Sequence, residues 1–232
     1  MIYLIPSFLS ENAVETIPAY VMEAVKKCTV IFAENERTAR RFLKTMDKEI
    51  VIDDFEWHTI HKAEEEQISI FRERIRDKKN IAIISEAGCP GVADPGQVLI
   101  AEAQKMNAEI KPLVGPNSIL LALMASGLNG QQFSFTGYLP IDNAARIKKI
   151  KQLEAESLQK YCTQIFIETP YRNNKLLESI LGHANPSTRL CIASEITSAN
   201  EFILTKTIEQ WKKEKLDLHK KPVIFLLQAQ AG

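Results

Sequence analysis

The segment from Asn80 to Gly96 constrains the fold of this chain more than any other. The apolar run Asn80-Ile-Ala-Ile-Ile84 leads directly into Ser-Glu-Ala-Gly-Cys-Pro-Gly-Val-Ala-Asp-Pro-Gly, residues 85–96, and a helical spacing follows near Val98–Met106. Consecutive apolar residues bounded by turn signals fit a strand buried on both faces, as in a parallel sheet covered by helices. The twelve residues of the loop carry three Gly and two Pro. That is long for a βα connection, which commonly takes about 2–6 residues. Missing Cβ atoms let backbone groups approach a ligand closely, and open α/β sheets hold ligands just past the carboxyl ends of their strands. The plainer alternative is a tight strand-to-helix turn, for which Gly88-Cys-Pro-Gly91 suffices.

Strand and helix patterns alternate along the rest of the chain. Strands are expected at Ile2–Ile5, Thr29–Ala33 and Glu109–Val114. Helices are expected at Glu15–Lys27, Arg37–Lys44 and Lys62–Lys78, the last with Ile68, Phe71 and Ile75 as its apolar stripe. A second Gly-containing loop, Leu113-Val-Gly-Pro-Asn-Ser118, precedes a helix at Ile119–Ser126 that Gly127 would close. Beyond it come strands at Phe133–Tyr138, Gln164–Glu168, Arg189–Ser194, Glu201–Thr207 and Pro222–Gln228. Helices are expected between them at Ala144–Gln159, Asn173–Leu181 and Ile208–Lys213. The fold class is therefore α/β: an N-terminal domain over 1–114 with a mostly parallel sheet, and a C-terminal domain over 115–232 with a mixed sheet.

Lys plus Arg and Asp plus Glu number 29 each, so no global charge draws the chain to nucleic acid, and an RNA partner would need a local basic face. The candidate for that face is Arg37, Arg40, Arg41 and Lys44. The four cysteines are scattered without a CxxC pair, which suits a reducing cytoplasmic setting and no metal site. Cys28, Cys162 and Cys191 lie in apolar runs and read as small buried hydrophobes. The four His (His58, His61, His183, His219) read as surface residues. No stretch approaches the ~20 apolar residues that span a bilayer, and the N-terminal run lacks the basic start of a secretory signal. Neither GxGxxG after the first strand nor GxxxxGK[ST] occurs, which argues against dinucleotide-binding and P-loop enzymes.

Four stretches carry candidate chemistry. The loop 85–96 offers backbone groups and the Glu86 carboxylate. In Gly115-Pro-Asn-Ser118, Asn117 or Ser118 caps the next helix, and the free N–H groups of that helix start suit an anion. Ala33-Glu-Asn-Glu-Arg37 reads either as a strand end and capped helix with ordinary surface charges, or as a site in which Glu34 or Glu36 is a base for a sugar hydroxyl and Arg37 meets phosphate. In Phe166-Ile-Glu-Thr-Pro-Tyr-Arg172, Thr169-Pro170 ends a strand and Glu168 stands beside it.

These loops resemble those of the tetrapyrrole methylase superfamily, closest to its bacterial 16S ribosomal RNA cytidine 2′-O-methyltransferase branch. The family pattern Ser-Asp-Ala-Gly-x-Pro-Gly-x-x-Asp-Pro-Gly is matched at 85–96, with Glu86 in place of Asp. Phe133-Ser-Phe-Thr-Gly-Tyr-Leu-Pro140 resembles Phe-x-Phe-x-Gly-Phe-Leu-Pro. Val114, Asn117 and Tyr171 depart from the family residues, and Pro6-Ser-Phe-Leu-Ser lacks the Gly-Asn-Leu of the RNA-modifying branch. The resemblance implies S-adenosylmethionine as cofactor, bound in a cleft between the two domains. It assigns Pro6, Ser85, Glu86, Ala87, Gly88, Val92, Ala93, Asn117, Ser118, Glu168, Thr169 and Ala193 to that cofactor. It also implies a cytoplasmic homodimer that methylates a ribose 2′-hydroxyl of ribosomal RNA, free or in the small ribosomal subunit. Methylation of a tetrapyrrole-like metabolite and a non-catalytic cofactor- or RNA-binding role are the two alternatives.

Overall fold

The computed structural model describes residues 1–11, 13–60 and 67–230. These form two compact units, Met1–Asn117 and Ser118–Gly232.

The first unit is built on a five-stranded, wholly parallel sheet. Its strands are β1 (Ile2–Ile5), β2 (Val30–Ala33), β3 (Glu56–Thr59), β4 (Ile81–Ile84) and β5 (Ile110–Pro112), in the spatial order β3-β2-β4-β1-β5. All four residues of β2 and of β4 are buried, as a central strand covered on both faces requires. One face packs against α1 (Tyr20–Val25) and α2 (Glu36–Met46) through Val21, Val25, Phe42 and Leu43. The other packs against α3 (Ile68–Arg76) and α4 (Gln97–Lys105) through Phe71, Leu99 and Ala103. The alternation along β1 shows this sorting, with Tyr3 and Ile5 in one core and Ile2 in the other.

Three expectations need correction. The helix expected over Glu15–Lys27 is a 3-10 turn at Val14–Thr16 followed by the shorter α1. Pro18 interrupts it: the preceding Ile17 is extended, at φ −107° and ψ 116°, because a proline ring disfavours helical backbone in the residue before it. Second, β3 was not anticipated. Its residues alternate too weakly to announce a strand, and pairing with β2 makes it one. Third, His58 is no surface residue. It stacks on Phe32 at 4.8 Å between ring centroids and bonds to Glu56 Oε1 at 2.7 Å. Of the helix expected at Lys62–Lys78, residues 62–66 lie outside the described residues, as does His61.

The second unit carries the mixed sheet β6-β7-β10-β8-β9. Its strands are β6 (Phe133–Tyr138), β7 (Thr163–Ile167), β8 (Arg189–Ser194), β9 (Phe202–Thr207) and β10 (Val223–Gln228). Only β6 and β7 run parallel, and the other pairs are antiparallel. A bulge near Gly137, at φ 74°, shifts the β6 register. Helix α5 (Ser118–Ser126) packs on β8, β9 and β10, and Gly127 at φ 65° follows it. Helices α6 (Asn143–Lys160), α7 (Asn173–His183) and α8 (Ile208–Trp211) share a core with Phe166, Ile192 and Phe225. Cys28, Cys162 and Cys191 are buried, and burial raises their thiol pKa values, that of Cys28 to about 12. No helix among the described residues is long and apolar enough to cross a membrane.

Candidate active site at the carboxyl edge of the parallel sheet

Strand order makes the site. β4 lies between β2 and β1, and the helices that follow β1 and β2 cover one face while the helix that follows β4 covers the other. Loops leaving adjacent strands toward opposite faces open a crevice between them, where ligands of such sheets bind. The β4–α4 loop, residues 85–96, therefore has a crevice on each side.

Toward β1 the loop is tied down. Ser7 N–H donates to Gly88 O at 2.8 Å, and Gly88 N–H donates back to Ser7 O at 3.2 Å. The buried Ser7 hydroxyl donates to Ser85 O at 2.8 Å, and Ser85 Oγ donates to Gly88 O at 3.3 Å. Gly88 holds φ +74°, and a Cβ there would touch Leu9 at 3.4 Å. The loop between β5 and residue 118 comes closer still. A Cβ on Gly115 would lie 2.2 Å from Pro6 Cβ, so this approach requires glycine. Cys89 Sγ faces Pro116 O at 3.5 Å and interacts with the Asn117 side chain. Pro6, Ser85, Gly88 and Asn117 thus meet around one bridge.

Toward β2 the contacts are acidic. The Glu34 carboxylate accepts the Glu86 N–H at 2.8 Å, and Glu86 accepts the Thr38 hydroxyl at 3.0 Å. Asn35 caps α2 by accepting Thr38 N–H. Glu34, Glu36, Arg37, Thr59 and Glu86 line one pocket of about 350 Å³. The first loop, Thr38, Arg41, Phe42, Glu86 and Ala87 line a second of about 240 Å³. The expected catalytic trio is thus gathered with Glu86, although Glu36 is held by Arg40 at 2.7 Å. Val92 and Ala93 are exposed, Ala93 at φ 62°.

Asp94 was not singled out in the sequence, although it stands inside the Gly-rich loop. Burial and the charges of Glu34 and Glu86 push its carboxyl up to about 7. Its signal was an acid in a loop of glycine and proline, but only the fold brings two more carboxylates near it. The basic face is partly neutralised. Arg40 pairs with Glu36 and stacks on Trp57, and Arg41 meets Glu11 at 3.4 Å. Arg37, Arg41 and Lys44 remain exposed on successive turns of α2.

In the second unit, Glu168 is buried and committed locally. Its Oε1 accepts Thr169 N–H at 2.6 Å and Arg172 Nη2 at 2.6 Å. Ala193 is fully buried in β8 between β10 and β9, and Ser118 opens α5.

Residues 13–212 match the family of Tetrapyrrole (Corrin/Porphyrin) Methylases. The chain belongs to that family. It is 29% identical over 232 residues to Ribosomal RNA small subunit methyltransferase I of Buchnera aphidicola subsp. Schizaphis graminum, covering 98% of this chain and 77% of the relative. The protein of the same name from Bacillus subtilis is 28% identical, over 92% of this chain and 70% of its own length. Among solved structures, the methyltransferase CobJ superposes with a TM-score of 0.62 at 16% identity, over 94% of this chain and 92% of that one. The parallel and mixed sheets described above are thus the architecture of a tetrapyrrole methylase.

Proposed function

We propose that this tetrapyrrole methylase transfers the methyl group of S-adenosylmethionine to a ribose 2′-hydroxyl of ribosomal RNA in the small subunit, in the cytoplasm and as a homodimer. The observation that carries the reading is the carboxyl edge of the parallel sheet, where the bridged 85–96 loop stands beside Glu34 and an exposed basic ridge. The relatives from Buchnera aphidicola and Bacillus subtilis, both named Ribosomal RNA small subunit methyltransferase I, support the substrate class.

The residues suit such a cofactor. Its sulfonium is a cation, and Glu34, Glu86 and Asp94 set a negative potential that favours one. Pro6, Ser85, Glu86, Ala87, Gly88, Val92, Ala93 and Asn117 are the holding set in the first unit. Bound there, S-adenosylmethionine supplies an electrophilic methyl. Glu34, which lines a pocket with Arg37, takes the proton of the acceptor hydroxyl, and Arg37 meets a neighbouring phosphate. Alignment of the hydroxyl for in-line attack contributes more than proton removal, since sugar hydroxyls are weak acids. Leu120 and Met124 are 48% and 79% exposed on the apolar helix α5, a surface that supports the second copy.

The test is cofactor binding by calorimetry, followed by labelled methyl transfer to small ribosomal subunits from cells lacking the protein. Label in rRNA ribose is expected, and Glu34→Gln should slow it by ~10²-fold, the lower range for a general base. Absence of binding at millimolar cofactor refutes the reading.

A further inference from the structure

A surface pocket of about 380 Å³ opens in the second unit, lined by Ile141, Asn143, Arg146, Glu168, Arg172, Lys175, Leu176, Glu178 and Ser179. It lies past the carboxyl ends of β6 and β7, the one parallel pair of the mixed sheet among the described residues. Helices α6 and α7 both begin beside it.

Arg146 is the anomaly. It is only 9% exposed, yet its guanidinium bonds to neutral groups alone: Nε donates to Ser179 Oγ at 3.0 Å, Nη1 to Ile141 O at 2.8 Å and Nη2 to Asn143 Oδ1 at 2.7 Å. These bonds use three of the five N–H groups of a guanidinium. A buried charge is costly unless an opposite charge compensates it, and no carboxylate pairs with Arg146 among the described residues. The nearby Glu168 carboxylate is already committed to Arg172. Lys175, exposed on α7, adds a second cation to the wall, and Glu178 an exposed acid.

A pre-oriented guanidinium with neutral supports, an exposed lysine and a pocket open to solvent suit a tetrahedral oxyanion. We propose that this pocket binds a phosphate group, with Arg146 as its fixed donor and Lys175 closing on it. The source is the backbone of the RNA substrate, an assignment that rests on the function proposed above. The positive ends of α6 and α7 add to the attraction. Phosphate contacts of this kind hold an RNA in register without reading its bases.

The experiment uses the full chain and does not depend on turnover. Binding of inorganic phosphate and of a single-stranded oligoribonucleotide is measured between about 50 and 200 mM salt. Wild type is compared with Lys175→Gln and Arg146→Gln. Both variants should weaken phosphate binding, and Lys175→Gln should lower the slope of log K against log salt for the oligoribonucleotide by about 0.7. Should Arg146→Gln fail to fold, the exposed Lys175 decides alone. Variants that weaken phosphate but leave the RNA slope unchanged keep the phosphate site and overturn RNA as its source. Wild-type affinity for both ligands in both variants overturns the site. Failure of wild type to methylate ribosomal subunits would instead strike the proposed function and leave these binding results standing.

Discussion

The two units reach unusual backbone conformations at their loops by opposite means. In the first, positive φ near the bridge falls largely on glycine: Gly88, Gly91 and Gly96 lie at 74°, 76° and 107°. In the second, the turn after β8 places Glu195 at φ 53° and Thr197 at φ 69°, and a β-branched residue there is strained. The buried hydroxyls of Ser194 and Thr197 also lack hydrogen-bond partners. The Gly-rich loop gains close approach of backbone to backbone with little strain. The β8 turn keeps side chains and stores strain instead. Charge divides in the same way, with three carboxylates around the 85–96 loop and, in the second unit, a buried arginine that pairs with no carboxylate among the described residues.

The largest effect expected from disturbing this contrast is at Gly115. Gly115→Ala places a Cβ 2.2 Å from Pro6 Cβ, and overpacking of this kind costs about 1–3 kcal/mol. Thermal unfolding should show the loss, and cofactor affinity should fall with it because the first loop must shift.

Asp94 comes next, and its effect depends on pH. The folded chain holds this proton up to about pH 7, whereas the free carboxyl loses it near 3.8. The group's stabilisation is full below the lower value and declines as pH rises through the upper one. Asp94→Asn should therefore melt higher than wild type at pH 8 and lose that advantage by pH 4. It should also remove a rise in affinity for the sulfonium cofactor between pH 6 and 8.

The smallest effects are a matched pair. Gly88→Ala forces a side chain into left-handed backbone and should cost about 1–2 kcal/mol. Thr197→Gly relieves the same conformation and should raise stability by up to about 1 kcal/mol. Denaturant midpoints for both variants would collapse the contrast if they moved in the same direction.

Much of this was legible beforehand. Apolar runs marked β1, β4 and β8 with errors of a residue or less, because buried strands need uninterrupted apolar side chains. Pro18, by contrast, split a helix whose apolar spacing looked continuous, and β3 went unseen because its pairing with β2, not its composition, makes it a strand. For the site, Glu34 and the glycines of 85–96 mark two loops that the fold brings into contact at the carboxyl edge of the sheet. They did not reveal Ser7 as the partner of Gly88, Pro6 as the reason for Gly115, or Asp94 as the third carboxylate.

The sequence by itself determined the local order of strands and helices, the α/β class and the place of the Gly-rich loop between a strand and a helix, since propensity and periodicity act between near neighbours. Tertiary structure alone decided that β4 would insert between β2 and β1. That placement brings Glu34 to the Glu86 amide and Ser7 to Gly88 across tens of residues. Contacts at such separation depend on which strands pair, and pairing is settled by packing of the whole sheet against helices on both faces.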